Sequence, residues 1–219
     1  MIEDFKQYLQ HALSKTRLPG ESAQQKMSPK FPGGQIPSRG EMGTNTRNSS
    51  VLMALCPDKN NNITVLLTLR SKHLNHHSSQ ISFPGGKIDE GETVEQTALR
   101  EAYEEVHLHP DLVSVLGELT GLYVQKSDNY VRPIVGFCET TPQININPLE
   151  VEQAFFVPLN ELERDENVKY KKQQVSGFSM IVPYWDIHHT IPLWGATAMM
   201  LSELVTLYEL FLKQKLHSP

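Results

Sequence analysis

One short stretch, residues 93–106, constrains the fold of this chain most, because it specifies an amphipathic helix with a defined start. Thr93 is followed three residues later by Gln96, a capping-box pattern in which two side chains satisfy backbone amides of the first turn. At 100° per residue, the apolar side chains share about 100° of arc and form one stripe: Ala98, Leu99, Ala102 and Val106. The pattern predicts a helix over Val94–Val106 that packs this stripe into a core.

Three carboxylates, those of Glu101, Glu104 and Glu105, lie at the edge of this stripe within about 100° of arc. Glu101 and Glu105 are four residues apart, where like charges repel, and burial beside a core adds a cost of desolvation. A solvated acidic face with a stabilising pair between Arg100 and Glu104 is one interpretation. A divalent cation, which prefers oxygen ligands, explains the whole cluster, and the spacing favours this second interpretation.

The charge of the chain is concentrated around this helix. The net charge is −5, and residues 86–108 contain seven acids against two bases, so the remainder is neutral. A concentrated acidic patch on a neutral body attracts cations. No basic patch interleaved with aromatic residues is present, so the sequence does not support binding of nucleic acid.

The rest of the chain predicts an α/β protein with a mixed β-sheet. Strand-like runs cover residues 51–56, 63–69, 112–116, 131–138, 153–157 and 180–182, and the first two resemble a hairpin. A long apolar helix is expected over residues 196–212. Residues 1–48 are expected to form a short helix, residues 2–13, followed by a linker rich in Gly and Pro, and residues 49–219 to form the main domain.

Composition also bears on where the chain resides. The longest apolar runs are about six residues, far short of a membrane span, and no targeting signal is recognisable at either end. We therefore expect a cytoplasmic protein with no membrane partner. Cys56 and Cys138 are too few for a disulfide framework and are expected to be reduced.

Residues 86–108, GKIDEGETVEQTALREAYEEVHL, resemble the Nudix box G-x5-E-x7-R-E-U-x-E-E-x-G-U, where U is aliphatic. Every fixed position matches except one, at which His107 stands in place of Gly. That position would follow the last helical residue, where a left-handed backbone is common and where His is among the better tolerated non-glycine residues. We expect a modest cost in stability and intact chemistry.

The resemblance implies an α/β/α sandwich with a loop-helix-loop catalytic motif that hydrolyses nucleoside diphosphates linked to another moiety, using Mg²⁺ or Mn²⁺. It implies that Glu101, Glu104 and Glu105 bind the metal, with the carbonyl oxygen of Gly86 as a further ligand. It also implies catalytic roles for Arg100, which would orient a carboxylate, and for Glu92, which would support the loop. The general base can be a glutamate of the box or one from a later loop, for which Glu150 and Glu152 are the candidates.

The residues before the box resemble one branch of the family, the coenzyme A diphosphatases. Leu66-Leu67-Thr68-Leu69-Arg70-Ser71 and Phe83-Pro84-Gly85-Gly86 match its signature L-L-T-x-R-S-x3-R-x3-G-x3-F-P-G-G, with Asn75 for Arg and Ser79 for Gly as departures. The resemblance implies that coenzyme A or its thioesters are split into 3′,5′-ADP and 4′-phosphopantetheine, and that Arg70 and Ser71 bind substrate. A homodimer is compatible with it.

Alternative functions remain open at this point. A changed pocket at Asn75 and Ser79 favours ADP-ribose or another nucleoside diphosphate derivative as substrate. A binding regulator that lost the chemistry is less favoured, because all the acidic residues of the box remain. A zinc site built from His73, His76 and His77 or from His188 and His189 is disfavoured, since no Cys lies near either group. Trp185 and Trp194 are expected in the core.

Overall fold

The computed structural model describes residues 1–14, 18–38, 40–72 and 80–217, with the side chain of residue 165 left out. Its helices are α1 (Ile2–Leu13), α2 (Gly20–Gln24), α3 (Val94–Val106), α4 (Leu159–Leu162) and α5 (Gly195–Leu216). Its strands are β1 (Arg47–Pro57), β2 (Ile63–Arg70), β3 (Ile81–Ser82), β4 (Gly85–Lys87), β5 (Ser114–Glu118), β6 (Leu122–Val124), β7 (Asn129–Phe137), β8 (Val151–Pro158), β9 (Val168–Val175) and β10 (Phe178–Trp185).

Eight of these strands form one mixed sheet. Its main path is β3-β2-β1-β7-β5, and β4, β6 and β8 pair with β1, β7 and β2 respectively. β1 and β7 run parallel, whereas the other pairs are antiparallel, including the expected hairpin of β1 and β2. β9 and β10 form a separate antiparallel hairpin. The sheet therefore confirms the predicted mixed α/β class.

The two faces of the sheet are covered by different helices, because side chains alternate along each strand. From β1, Leu52 and Ala54 pack with α3 in one cluster, whereas Met53 and Leu55 pack with α1 and α5 in the other. The three layers are thus α3, the sheet, and the α1–α5 pair. This arrangement confirms the predicted α/β/α sandwich.

The ends of several elements differ from the sequence expectation. The strand expected over residues 112–116 begins at Ser114, because residues 110–112 form a 3-10 turn that starts at Pro110 and is capped by the side chain of His109. α5 extends to Leu216. β3, β4, β6 and β9 were not predicted. Cys56 and Cys138 are buried free thiols, as expected.

The N-terminal residues pack against α5. The Phe5 ring lies 5.2 Å from that of Tyr208, measured between centroids. The buried carboxylate of Glu203 accepts hydrogen bonds from the Gly20 amide at 2.9 Å and from the Thr120 hydroxyl at 2.8 Å. The division of the chain at residues 48 and 49 stays a prediction, although these contacts attach the first part to the sandwich.

α5 is also the one helix in the described residues with the length and composition to cross a membrane. Most of its apolar residues are buried against α1, α2 and the sheet. Packing of this kind is sufficient to explain an apolar helix of this length.

Candidate active site

The start of α3 is specified as the sequence predicted. Thr93 Oγ1 accepts a hydrogen bond from the Gln96 amide at 3.2 Å, and Gln96 Oε1 accepts one from the Thr93 amide at 2.8 Å. The apolar stripe packs on the sheet beside β4, which holds Gly86. A Cβ atom on Gly86 would overlap the Glu101 carboxylate, so a larger residue would displace that side chain from its bond with Arg100.

The end of α3 is closed by His107, which adopts the left-handed conformation at φ 53° and ψ 31°. Its Nδ1 lies 2.6 Å from the carbonyl oxygen of Asn145, to which it donates when protonated at that nitrogen. Two further hydrogen bonds hold the loop before β8 against the helix end. The Asn145 backbone amide donates to the Val106 carbonyl oxygen, and the Asn147 backbone amide donates to the Glu105 carbonyl oxygen. The departure from glycine therefore leaves the local backbone as expected, and this loop brings Glu150 to the site.

Arg100 is the centre of an ion-pair network on the exposed side of α3. Its Nε and Nη2 donate to the two oxygens of Glu92 at 2.8 and 3.0 Å, and its Nη1 donates to Glu101 at 2.9 Å and to Glu104 at 3.0 Å. Glu92 also accepts from the Thr97 hydroxyl at 2.7 Å. The Arg100 bonds, with that of Thr97, lower the pKa of Glu92 to about 2. Glu92 therefore holds Arg100, and Arg100 positions two of the expected metal ligands.

Glu105 lies on the inner side of the helix and is 1% exposed. Its Oε1 lies 3.3 Å from Arg70 Nη1, and its Oε2 is buried with no hydrogen-bond partner in the described residues. Burial raises the pKa of this carboxyl to about 8. The positive charge of Arg70 opposes this shift, and the negative charges of Glu101 and Glu150 add to it. Burial likewise raises the pKa of Glu101 above its ordinary value, against the effect of Arg100.

Glu150 and Glu152, which sequence reasoning could not separate, have different surroundings. Besides burial, the charge of Glu150 contributes to the raised pKa values of both Glu101 and Glu105, so its charge acts on the cluster. Asn147 Nδ2 donates to it at 3.1 Å. Glu152 instead pairs with Lys72 at 3.1 Å. These surroundings favour Glu150 over Glu152 as the loop carboxylate of the site.

The residues present fit a divalent cation, although the described part of the chain has no three acidic, His or Cys side chains already converging on one point. Glu101 and Glu104 are instead turned to Arg100. The fit rests on Glu105 Oε2, a buried carboxylate oxygen without a partner, which costs free energy until a cation or a proton satisfies it. The donors nearby are all oxygens, the ligand type that Mg²⁺ and Mn²⁺ prefer.

A cavity of about 820 Å³ opens beside this cluster. Arg70 and Gly85 line it at the end next to Glu105, and its other walls come from α5, the β9–β10 hairpin, residues 28–38 and residues 122–131. Among the described residues of its lining, two side chains are cationic, those of Arg70 and Lys126, and none is acidic. The Ser71 backbone amide donates a hydrogen bond to the Glu150 carbonyl oxygen at 2.8 Å, which joins the end of β2 to the loop before β8.

Other expectations have mixed outcomes. Asn75, Ser79 and the histidines His73, His76 and His77 lie outside the described residues. His188 Nδ1 faces the amides of Thr190 and Ile191 at 3.3 Å, an arrangement that organises a loop. Trp185 is in the core as expected, whereas Trp194 lines the cavity.

Sequence reasoning did not identify the contribution of Asn147 to the site or the wall formed by residues 28–38. The Pro- and Gly-rich composition of the N-terminal segment indicates only a linker. No local signal marks either segment as part of a site, because each reaches it through contacts distant in sequence.

Comparisons with known proteins agree with this architecture. The NUDIX domain family model matches residues 46–177. Nudix hydrolase 3 of Caenorhabditis elegans is 33% identical over 161 residues, which are 66% of this chain and 66% of that protein. The peroxisomal coenzyme A diphosphatase NUDT7 of Mus musculus is 41% identical over 125 residues, 57% of this chain and 52% of that one.

Among solved structures, the Nudix hydrolase RenU of M. smegmatis is 15% identical, with a TM-score of 0.48, and the match covers 87% of this chain and 96% of that chain. The chain thus spans just under two thirds of the nematode relative and about half of the mouse relative. The match of the family model over more than half of the chain, together with the capped acidic helix on a three-layer sandwich, shows that this chain belongs to the Nudix hydrolase family.

Proposed function

We propose that this protein hydrolyses the pyrophosphate bond of coenzyme A or its thioesters and releases 3′,5′-ADP and 4′-phosphopantetheine or its acyl form. The observation that carries the reaction type is the unpartnered Oε2 of buried Glu105, adjacent to Glu101 and Glu150 and to a cavity that begins at Arg70. The 41% identity to the mouse diphosphatase and the residues before the Nudix box support the choice of substrate.

Glu101, Glu104 and Glu105, with the carbonyl oxygen of Gly86, would hold Mg²⁺ or Mn²⁺. When bound, the cation neutralises the charge of the diphosphate and favours ionisation of the attacking water. Arg100 holds Glu101 and Glu104 in place, and Glu92 holds Arg100. Arg70, 24% exposed at the cavity end, is suited to bind a phosphate oxygen, because a guanidinium donates two parallel hydrogen bonds to such a group.

Glu150 is the proposed general base. Its side chain is partly buried, accepts a hydrogen bond from Asn147, and acts by its charge on Glu101 and Glu105, so this carboxylate would accept the proton of the attacking water. The oxygen of that water forms a bond to one phosphorus, the bridging P–O bond breaks, and the departing phosphate oxygen leaves as part of a phosphomonoester. Ser71 supports this step by bonding the Glu150 backbone.

The experiment that tests this function compares hydrolysis of coenzyme A and of ADP-ribose, with Mg²⁺ and with Mn²⁺, and separates the products by chromatography. We expect release of 3′,5′-ADP from coenzyme A to be much faster than release of AMP from ADP-ribose. The reverse preference would contradict the proposed substrate and favour an ADP-ribose pyrophosphatase. Inactivity on both would favour a binding regulator.

Location and assembly remain proposals. A cytoplasmic protein that acts as a monomer or a homodimer is compatible with the fold, but the name of the mouse relative places that protein in the peroxisome. Fractionation of cells that produce the tagged chain, with the tag placed at either end in turn, tests the location.

A further inference from the structure

Residues 28–38 form one wall of the cavity that opens beside Glu105. Lys30 pairs with Ile181 of β10 through two backbone hydrogen bonds, of 2.9 and 2.8 Å, which form a single β-bridge between the segment and the β9–β10 hairpin. Five residues of this segment line the cavity: Ser28, Pro29, Phe31, Pro37 and Ser38. A segment whose composition indicates a linker is therefore part of the cavity.

The wall has a defined position. Two backbone hydrogen bonds of 2.8 Å stabilise a turn in this segment. The Phe31 amide donates to the Gln35 carbonyl oxygen, and the Gly34 amide donates to the Phe31 carbonyl oxygen. Before the wall, Met27 is buried in the core, and α2 is tied to α5 by the Ser202 hydroxyl, which donates to the Ala23 carbonyl at 2.9 Å. These contacts fix both the direction and the depth of the segment.

Two aromatic side chains meet at the rim of this cavity. The rings of Phe31 and Phe178 are 5.9 Å apart between centroids and at 85°, an edge-to-face pair. Phe178 is 60% exposed even though it sits at the start of β10. Phe31 is partly buried, so the pair presents one exposed ring that gains from contact with an apolar ligand, because that contact removes its surface from water.

The interior of the cavity is suited to a flexible apolar group. Beyond Arg70, it is lined by Met180, Met199 and Met200, whose unbranched side chains adapt to ligands of different shape. Trp194 adds a further aromatic wall. Among the described lining residues, apolar side chains outnumber the two cations, Arg70 and Lys126, so an apolar arm of the substrate gains more from this cavity than a further charged group does.

We propose that Phe31, with its partner Phe178, is a specificity-determining residue that contacts the apolar arm of the substrate, the thioester-linked chain of an acyl-coenzyme A. The inference rests on the proposed function and adds to it the segment that selects the substrate. Because Phe31 lies away from the carboxylates, its contact is equal in ground state and transition state, and its loss raises KM with little change in kcat.

The test measures KM and kcat of the wild type, Phe31→Ala and Phe178→Ala for coenzyme A and for its thioesters with short and long saturated chains. In the wild type, KM should fall as the chain lengthens. In either variant, KM for the longest thioester should rise by about tenfold or more, while KM for coenzyme A changes little. The double variant should add little to either single one, because the two rings act as a unit.

Tyr170→Ala is the matched control, since Tyr170 is an exposed aromatic residue on β9 of the same hairpin and does not line the cavity. It should keep the dependence on chain length. Phe178→Ala alters an exposed side chain and so keeps the test valid if Phe31→Ala unfolds the wall. A wild type without dependence on chain length would overturn the proposal, and so would variants that weaken coenzyme A and its thioesters equally.

Equilibrium binding of the same thioesters in EDTA separates this inference from the proposed function. A wild type that binds but does not hydrolyse them, together with weakened binding in Phe31→Ala, would retain the inference and overturn the function. A wild type that hydrolyses them, with Phe31→Ala unchanged in both assays, would overturn the inference alone.

Discussion

Replacement of Glu105 by glutamine should stabilise the metal-free protein, and the gain should grow with pH. Glu105 is almost fully buried, and its pKa is raised from 4.5 to about 8 in the folded protein. For a carboxyl whose folded pKa is raised, the cost to stability is small below pH 4.5, increases as the pH rises through this window, and levels off above pH 8. The amide has the shape of the protonated carboxyl and can still accept from Arg70, so the variant removes this cost.

The magnitude follows from the two pKa values. At pH 7 the unfolded carboxyl is ionised while the folded one is mostly protonated, which costs about 3 kcal/mol in the free energy of unfolding. At pH 5 the same cost is about 1 kcal/mol. The difference in stability between Glu105→Gln and the wild type should therefore widen by about 2 kcal/mol between these two pH values.

Urea denaturation in EDTA at a series of pH values measures this difference. Glu95→Gln is the matched control, because Glu95 is an exposed carboxylate in the first turn of the same helix. Addition of Mg²⁺ should then stabilise the wild type more than Glu105→Gln, since a ligand that binds only the folded state raises its stability. A stability difference that is constant with pH, or that shrinks as the pH rises, would refute the burial of an unsatisfied carboxylate at this site.

Four further predictions follow from the same contacts. Glu92→Gln should lower kcat on coenzyme A by about tenfold or more, because Arg100 loses its bidentate partner; steady-state kinetics with an unchanged kcat would contradict this. His107→Gly should be more stable than His107→Ala by about 1 kcal/mol in urea denaturation, because the position is left-handed; equal stability would argue against that backbone. Binding of Mg²⁺ at pH 7 should release about one proton from Glu105, measured by calorimetry in buffers of different ionisation enthalpy, and binding without proton release would disagree with its raised pKa. Glu203→Ala should lower the free energy of unfolding by about 3 kcal/mol, because the Gly20 amide and the Thr120 hydroxyl lose their acceptor; a change within error in urea denaturation would show that these bonds contribute nothing.

The extent to which the sequence predicts this structure depends on how local each signal is. α3 has the predicted bounds because its capping box and its apolar stripe are both contained within the helix. β3 and β4 consist of two and three residues, and their pairing partners are distant in sequence, so no run of alternating residues marks them. β9, VKYKKQQV, is a polar strand in which half of the residues are exposed and none is fully buried, so its composition gives no core pattern.

In the candidate site, too, some features follow from local sequence and others depend on contacts between residues distant in sequence. The sequence places Glu101, Glu104 and Glu105 on one arc of a helix, but it does not separate the inner Glu105 from the half-exposed Glu104. That separation depends on Arg70 from β2 and on the loop that Asn147 ties to the helix end. The roles of these residues as metal ligands and catalytic groups stay predictions that mutation can test.

The most direct test of the account is turnover of coenzyme A by the wild type, Glu105→Gln and Glu95→Gln in Mg²⁺, with chromatographic identification of the products. The wild type and Glu95→Gln should release 3′,5′-ADP and 4′-phosphopantetheine at similar rates, and Glu105→Gln should be slower by about 100-fold or more. Turnover of Glu105→Gln at the wild-type rate would contradict the central claim that this buried carboxylate holds the catalytic cation.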